Sequence, residues 1–277
     1  MTETASPKRL NRGRRSQAGW LNRLLPWAIP GAFILIWFVI SETEMVPHYL
    51  LPHPKDILAT AATYIFGKAG NGAYAGRFLE DLMASSFRVM LGFSLAVVVG
   101  IPLGVLSGRL ALVSRMLNTT INALRAVPGI SWLPLAMVWF GIGLKTTVFL
   151  VALAAFFPIF LNAEAGARQV SPILLQAGAM MGVRRLRGTF AILLPAAMPS
   201  IITGLRLGMG ISWAYLVLGE LTGVPNGLGA VIMDARMLGR IDIIVVGIIL
   251  IALIGRFCDL GLNQLLRLSF KSARRLQ

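Results

Sequence analysis

The sequence predicts an all-α membrane protein with six transmembrane helices and both termini in the cytoplasm. Three observations carry that reading. Only 13% of the 277 residues are charged and 56% are hydrophobic, whereas a water-soluble domain carries roughly 25% charged residues. The apolar residues fall into runs close to the ~20 that a helix needs to cross a bilayer. Lys and Arg cluster between alternate runs. Segments 1–23, 108–125, 162–195 and 263–277 hold 17 of the 26 basic residues, and the segments on the other side hold six. Cytoplasmic loops carry the basic excess.

The first span is the uncharged run 24–40. The basic tail before it, 1–23, resembles the n-region of a signal peptide. However, the run is long and continues into Ser41-Glu42-Thr43 with no small-x-small cleavage site, so it reads as a retained helix. Residues 24–80 thus hold the first helix and an external segment. Pro47, Pro52 and Pro54 bar a continuous helix early in that segment, and 56–66 reads as a short amphipathic helix. This segment is either a surface connector or a docking surface for an external partner. The second span is 89–107. The third, 126–144, lies between Arg125 and Lys145, with an irregular start at Pro128 and Pro134. The fourth is 146–163. The fifth, 199–218, is interrupted by Arg206, and the sixth, 241–262, carries Arg256 and Asp259 near its end. Residues 81–262 therefore form a core of five spans, followed by a basic tail, 263–277.

Several functions are excluded. A net charge of +15 would suit nucleic acid, but the basic residues flank apolar runs and build no single soluble face. One cysteine (Cys258) precludes an intramolecular disulfide, and two histidines (His48, His53) without a cysteine cluster make no zinc site. No Ser-His-Asp set or paired carboxylates within one span point to catalysis, so the chain reads as a non-enzyme. No G-x-x-x-x-G-K-[ST] occurs, since Gly67-Lys68 is followed by Ala69. No cofactor is expected in this chain.

The polar stretch 164–195 interrupts the apolar pattern and contains Arg168, Arg184, Arg185 and Arg187. Within it, Gln176-Ala177-Gly178 is followed by three residues (Ala179, Met180, Met181) and Gly182. Nine residues later come Ile192, Leu193, Leu194 and Pro195. Gly182 suits a sharp turn between two short helices. Ala177, Gly178 and Ala179 allow close approach to a partner surface. Met180 and Met181 offer soft apolar contacts, and Arg184, Arg185 and Arg187 offer partners for acidic groups. Pro195 and Pro199 are expected to end the helical structure of the loop. A plain basic loop is the other reading.

The spacing decides between them. It resembles the cytoplasmic signature of the integral-membrane subunits of bacterial ATP-binding-cassette importers: E-A-A, three residues, G, nine residues, I-x-L-P. Gln176 stands in place of Glu, and Gly178 in place of the second Ala. The likeness extends over about 81–262. It includes Gly100-Ile101-Pro102-Leu103-Gly104, Arg125-Ala126-Val127-Pro128-Gly129, Trp139-Phe140-Gly141-Ile142-Gly143 and Gly204-Leu205-Arg206-Leu207-Gly208. It is nearest to the branch that imports alkanesulfonates, taurine, or nitrate and bicarbonate.

That resemblance implies a type I importer permease fold in the inner membrane, with Gln176 to Arg185 and Ile192, Leu194 and Pro195 as the ATPase-coupling residues. It implies a second permease copy, with the substrate pathway along their interface. It implies an ATPase dimer that binds ATP and grips the loops around Gly182, and an extracytoplasmic substrate-binding protein. The expected substrates are alkanesulfonates and taurine, with nitrate, bicarbonate or another small organic anion as the alternative. The competing class, a secondary transporter acting alone, should show inverted repeats and ionisable residues at mid-membrane. No clear repeat is visible, and Arg206 is the one deep candidate.

Arg206 and Trp213 are the candidate pathway or gate residues. Arg206 has a second reading as a snorkelling or structurally paired arginine, and Trp213 as a packing residue. Arg88 and Glu220 read as structural partners near the outer surface. The G-x-x-x-G pairs Gly100/Gly104 and Gly204/Gly208 read as helix-packing faces.

Overall fold

The computed structural model describes residues 18–269, apart from 44, 45, 48, 69 and 71. The basic tails fall outside the described residues over 1–17 and 270–277, as does His48. Every regular element among the described residues is helical, and contacts divide the chain into two units, 1–56 and 57–277.

In the first unit, α1 (Ala18–Glu42) contains Pro26 and Pro30. Its Trp27, Ile29, Phe33 and Leu35 are mostly exposed, as suits side chains solvated by lipid. Beyond it, His53 Nε2 lies 2.9 Å from Glu42 Oε2, and its ring meets Phe38 edge-on. These contacts tie the proline-rich segment back to the end of α1.

The second unit is built on α3 (Phe78–Arg109), α6 (Leu144–Gln169) and α9 (Leu194–Glu220), with α6 packed along both of the others. On α6, Val151, Ala155, Ile159, Ala163 and Ala167 recur at every fourth residue and are all buried, which is one face of a helix. Small residues set the closeness of the neighbours. A Cβ on Gly104 would fall 2.5 Å from the Phe160 carbonyl oxygen, and one on Gly204 2.9 Å from that of Pro158. Both G-x-x-x-G pairs therefore press on α6, Gly100 on the Ile159 side chain and the other three against its backbone. In lipid, such packing takes over the role that expulsion from water has in a soluble core. The remaining helices are α2 (Pro54–Phe66), α10 (Leu228–Met237) and α11 (Ile241–Ser269), the last packed on α9 and α10.

Among the described residues, five helices are long and apolar enough to cross a membrane, or six if one bent pair is a single span. That pair corrects the expected third span. α4 (Ala111–Ala126) is followed by a 3₁₀ turn, Gly129–Ser131, and α5 (Trp132–Phe140), with an 85° bend between them. The cause is local. Val127 precedes Pro128 and is extended at φ −75°, ψ 120°, the region into which a proline pushes the residue before it. At Gly129, the Tyr215 ring occupies the space a β-carbon would need. The segment 108–125, expected as a cytoplasmic connection on its basic residues, holds from 111 onward one amphipathic helix.

The second span also starts earlier than expected, at Phe78 rather than Val89. Asp81 and Arg88 looked like a polar boundary, but both are buried. They belong to a polar network where α3 begins and α9 ends. Glu220, fully buried, accepts hydrogen bonds from Arg88 Nη1 at 2.6 Å, Ser85 Oγ at 2.8 Å and Gly229 N–H at 2.8 Å. Arg88 also donates to the Asn226 carbonyl at 2.8 Å and to Asn226 Oδ1 at 2.7 Å. Asp81 accepts from the Tyr64 hydroxyl at 3.0 Å and from Gly227 N–H at 2.9 Å. Burial, reinforced by the adjacent Asp81 carboxylate, pushes the Tyr64 phenol well above its ordinary range, so it remains a donor. The network joins α2, α3, α9 and the turn before α10. Its members satisfy one another, as buried polar groups must in a low-dielectric interior.

Candidate functional site

At the opposite end of the bundle, α6 runs through Glu164 to Gln169. The stretch expected as loop from 164 therefore begins with more than a turn of helix. Glu164 is buried and accepts from Ser107 Oγ at 2.9 Å, Asn118 Nδ2 at 2.9 Å and Arg168 Nη2 at 2.7 Å. Arg168 also donates to Ser114 Oγ at 2.6 Å. Those bonds tie α3, α4 and α6 together at the base of the cap that follows.

The cap consists of α7 (Pro172–Met180), a turn, and α8 (Arg185–Gly188). Gly182 adopts φ +81°. Its N–H donates to the Ala179 carbonyl at 3.0 Å, and the Val183 N–H to the Gly178 carbonyl at 3.0 Å. This pair of bonds, with glycine in the left-handed region between them, closes a helix C-terminus by satisfying carbonyls that would otherwise lack donors.

Gly178 is buried, and the tip of Ile192 occupies the space of its missing β-carbon. The position that departs from the family signature is thus a seat for the isoleucine of that same signature. Of the three small residues expected at a partner surface, only Ala179 is exposed; Ala177 is half-buried and Gly178 faces inward. Gly178→Ala should lower the melting temperature of the purified chain through mild overpacking, about 1–3 kcal/mol. Adding Ile192→Val, which removes the Cδ1 methyl, should restore it. Equal melting of Gly178→Ala and wild type would remove this contact from the account.

The expected helix stop at Pro195 and Pro199 does not occur. A π-helical turn, Thr189–Leu193, leads directly into α9. Pro195 sits in the first turn of α9, where the missing N–H costs little. At Pro199, inside α9, Thr203 Oγ1 donates to the Pro199 carbonyl at 3.1 Å.

The outer surface of the cap is apolar and basic. Met180 is 84% exposed and Met181 77%. Gln176, Arg184 and Arg187 are also exposed, and neither arginine makes an ion pair with a described residue. The side chain of Arg185 lies outside the described residues. Ile173, Leu174 and Phe190 extend this surface and fall outside the spacing pattern. Their signal in the sequence is a set of bulky apolar side chains within a stretch otherwise suited to water.

The two candidate pathway residues differ in setting. Arg206 Nε and Nη2 donate to the two Asp259 oxygens at 3.1 and 3.2 Å, and Arg256 donates to the same carboxylate at 3.2 Å. Arg206 nevertheless keeps 42% of its side chain exposed. Trp213 is buried, with its ring against Gly255 of α11. It stands two turns along α9 from Arg206, and both side chains meet α11.

The fold is thus a bundle of long apolar helices that carries an exposed, apolar and basic cap at one end. Residues 100–268 match the family described as binding-protein-dependent transport system inner membrane component. The taurine transport system permease protein of Escherichia coli K12 is 33% identical over 258 residues, 92% of each chain. A putative aliphatic sulfonates transport permease protein of Bacillus subtilis 168 is 34% identical over 245 residues, 88% of this chain and 85% of that one. A chain of the MetNI methionine ABC transporter, described in inward-facing conformations, matches with a TM-score of 0.55 at 20% identity, over 69% of this chain and 94% of that one; this likeness concerns the fold. The chain belongs to the binding-protein-dependent inner-membrane family and is a multi-pass permease subunit of an ABC importer.

Proposed function

We propose that the chain forms the translocation pathway of an importer for alkanesulfonates, taurine among them. It works as a homodimer, fed by an extracytoplasmic binding protein and driven by two ATPase subunits seated on the cap around Gly182. The observation that carries the assembly is the cap itself. Its turn is fixed by backbone bonds, and its Met180, Met181 and Phe190 project with no described residue to cover them. The permease core is 81–262, with the coupling loop inside 164–195. Arg206, held by Asp259, belongs to the pathway wall, and Trp213, buried against Gly255 two turns along α9, braces the same α9–α11 contact. The substrate class is supported by the taurine and sulfonate relatives.

Both termini and the cap are cytoplasmic in this reading, and α2 is external. In a Cys258→Ser background, Leu58→Cys should react with an impermeant thiol reagent in intact cells, and Arg187→Cys only after permeabilisation. The reverse pattern overturns the orientation. Proteoliposomes holding the permease, its ATPase and its binding protein should accumulate labelled taurine when ATP is supplied to the ATPase side. Accumulation of nitrate with no sulfonate would displace the substrate assignment and keep the importer.

A further inference from the structure

The bend between α4 and α5 opens a cavity of about 400 Å³, within the range of ligand pockets. Its wall combines Arg125 from α4, Trp132 from α5, and Tyr215 from α9 with the stretch of α6 from Leu153 to Leu161. Neither the Arg125 guanidinium nor the Tyr215 hydroxyl makes a hydrogen bond or ion pair with any described residue.

Arg125 is deep. Asn118, one side of the Glu164 network, marks the end of the bundle near the cap. Arg125 lies seven residues further along α4, about 10 Å at 1.5 Å per residue. The part of α6 that it shares the cavity with is the middle of that 26-residue helix. An arginine at mid-span is costly unless it meets an opposite charge or lines a wet path. Arg206, by contrast, already has its carboxylate.

Two further features give the cavity a path. Arg115, Thr119, Asn122 and Arg125 recur at four- and three-residue steps and are all exposed, so one polar, cationic stripe of α4 runs from the cap end to the cavity. On α9, the exposed face carries Thr203, Arg206, Leu207, Gly210 and Ile211. Ile211 lines both this cavity and a second one that contains Arg206 and Asp259.

We infer that Arg125 and Tyr215 form a mid-membrane station for the anionic head of the substrate, a sulfonate or an oxyanion of similar shape, with Trp132 and Phe157 as its apolar walls. The guanidinium supplies two parallel donors to an oxyanion, and the phenol hydroxyl a third. The Arg115–Arg125 stripe then offers the anion a graded route to the cytoplasm. This rests on the importer reading above and adds the residues and the charge that the pathway selects.

The test uses the complete complex in proteoliposomes, with taurine as the probe and with Arg125→Gln, Arg125→Lys and Tyr215→Phe. Assembly is measured as ATPase subunits co-purifying with the permease. Arg125→Gln should assemble normally, because it removes an unpaired charge from the span, and should lose taurine uptake by about tenfold or more. Arg125→Lys should keep more of the uptake, and Tyr215→Phe should lose a few-fold. Wild-type uptake by Arg125→Gln would overturn the station and leave the importer reading standing. Equal loss of assembled complex in Arg125→Gln and Arg125→Lys would make Arg125 structural and overturn it too. A wild-type complex that moves no organic anion would overturn the substrate class and the station together.

Discussion

Gly182→Val should abolish uptake and release the ATPase subunits, while the permease remains in the membrane in normal amount. The argument starts from one torsion angle. Gly182 sits at φ +81°, a region that costs an ordinary L-residue roughly 1–2 kcal/mol and a β-branched one more. Among the described residues, none beyond its two chain neighbours has an atom within 4 Å of where its β-carbon would be, so the penalty comes from the backbone and not from collision inside the permease. The chain relieves it by opening the turn, which breaks the Gly182–Ala179 and Val183–Gly178 bonds and swings α7 away from α8. Met180, Met181 and Arg184 then lose their common geometry. The spans are untouched, because Glu164 and its partners hold the base of the cap independently. Gly182→Asn, which tolerates the left-handed region better, should retain more ATPase and more uptake than Gly182→Val. The readings are permease in the membrane, ATPase co-purified and taurine accumulated. Wild-type values for all three in Gly182→Val would remove the turn from the coupling account, and loss of permease from the membrane would make it a folding element.

Glu220→Ala acts at the other end and on stability. It strands the Arg88 guanidinium with only Asn226, and leaves the Ser85 hydroxyl and Gly229 N–H without their acceptor. Removing one partner of a buried ion pair costs about 3–5 kcal/mol, enough to strip most folded permease from a detergent extract. Glu220→Gln keeps the acceptor oxygen and should fall between. Replacing both charges, Arg88→Met with Glu220→Met, should recover much of the loss, since the penalty lies in the uncompensated charge. Melting followed by size-exclusion chromatography measures all of these. A Glu220→Ala chain that melts with wild type would show that water, and not the protein, satisfies Arg88.

The long apolar helices were legible because lipid demands them: α1, α6, α9 and α11 lie where the predominantly apolar runs lie. The cap was legible from spacing, since a glycine three residues after a run of small residues fits a left-handed turn. What escaped was polar structure inside the bundle. Asp81 stood at the expected start of the permease core, ahead of the expected span 89–107; its partners, Tyr64 and Gly227, are remote in sequence. Glu164 was read as the edge of the loop, and its partners Ser107 and Asn118 are likewise remote. The bend at Val127 was half visible, in Pro128, but its direction depends on Tyr215 filling the space beside Gly129, a contact between α9 and the α4–α5 break that no local pattern encodes. Arg125 was therefore placed at the edge of the span, whereas the fold sets it beside the middle of α6.

The most direct measurement is site-specific cross-linking on the cap. With Cys258 replaced by Ser, single cysteines at Met180, Met181 and Phe190 should each cross-link to the ATPase subunits in native membranes, with yields that change when ATP is bound. A control cysteine at Leu58, on α2, should give none. Cross-links from Leu58, or none from the three cap positions in a transport-competent complex, would contradict the assignment of this surface as the place where ATP hydrolysis is coupled to the membrane.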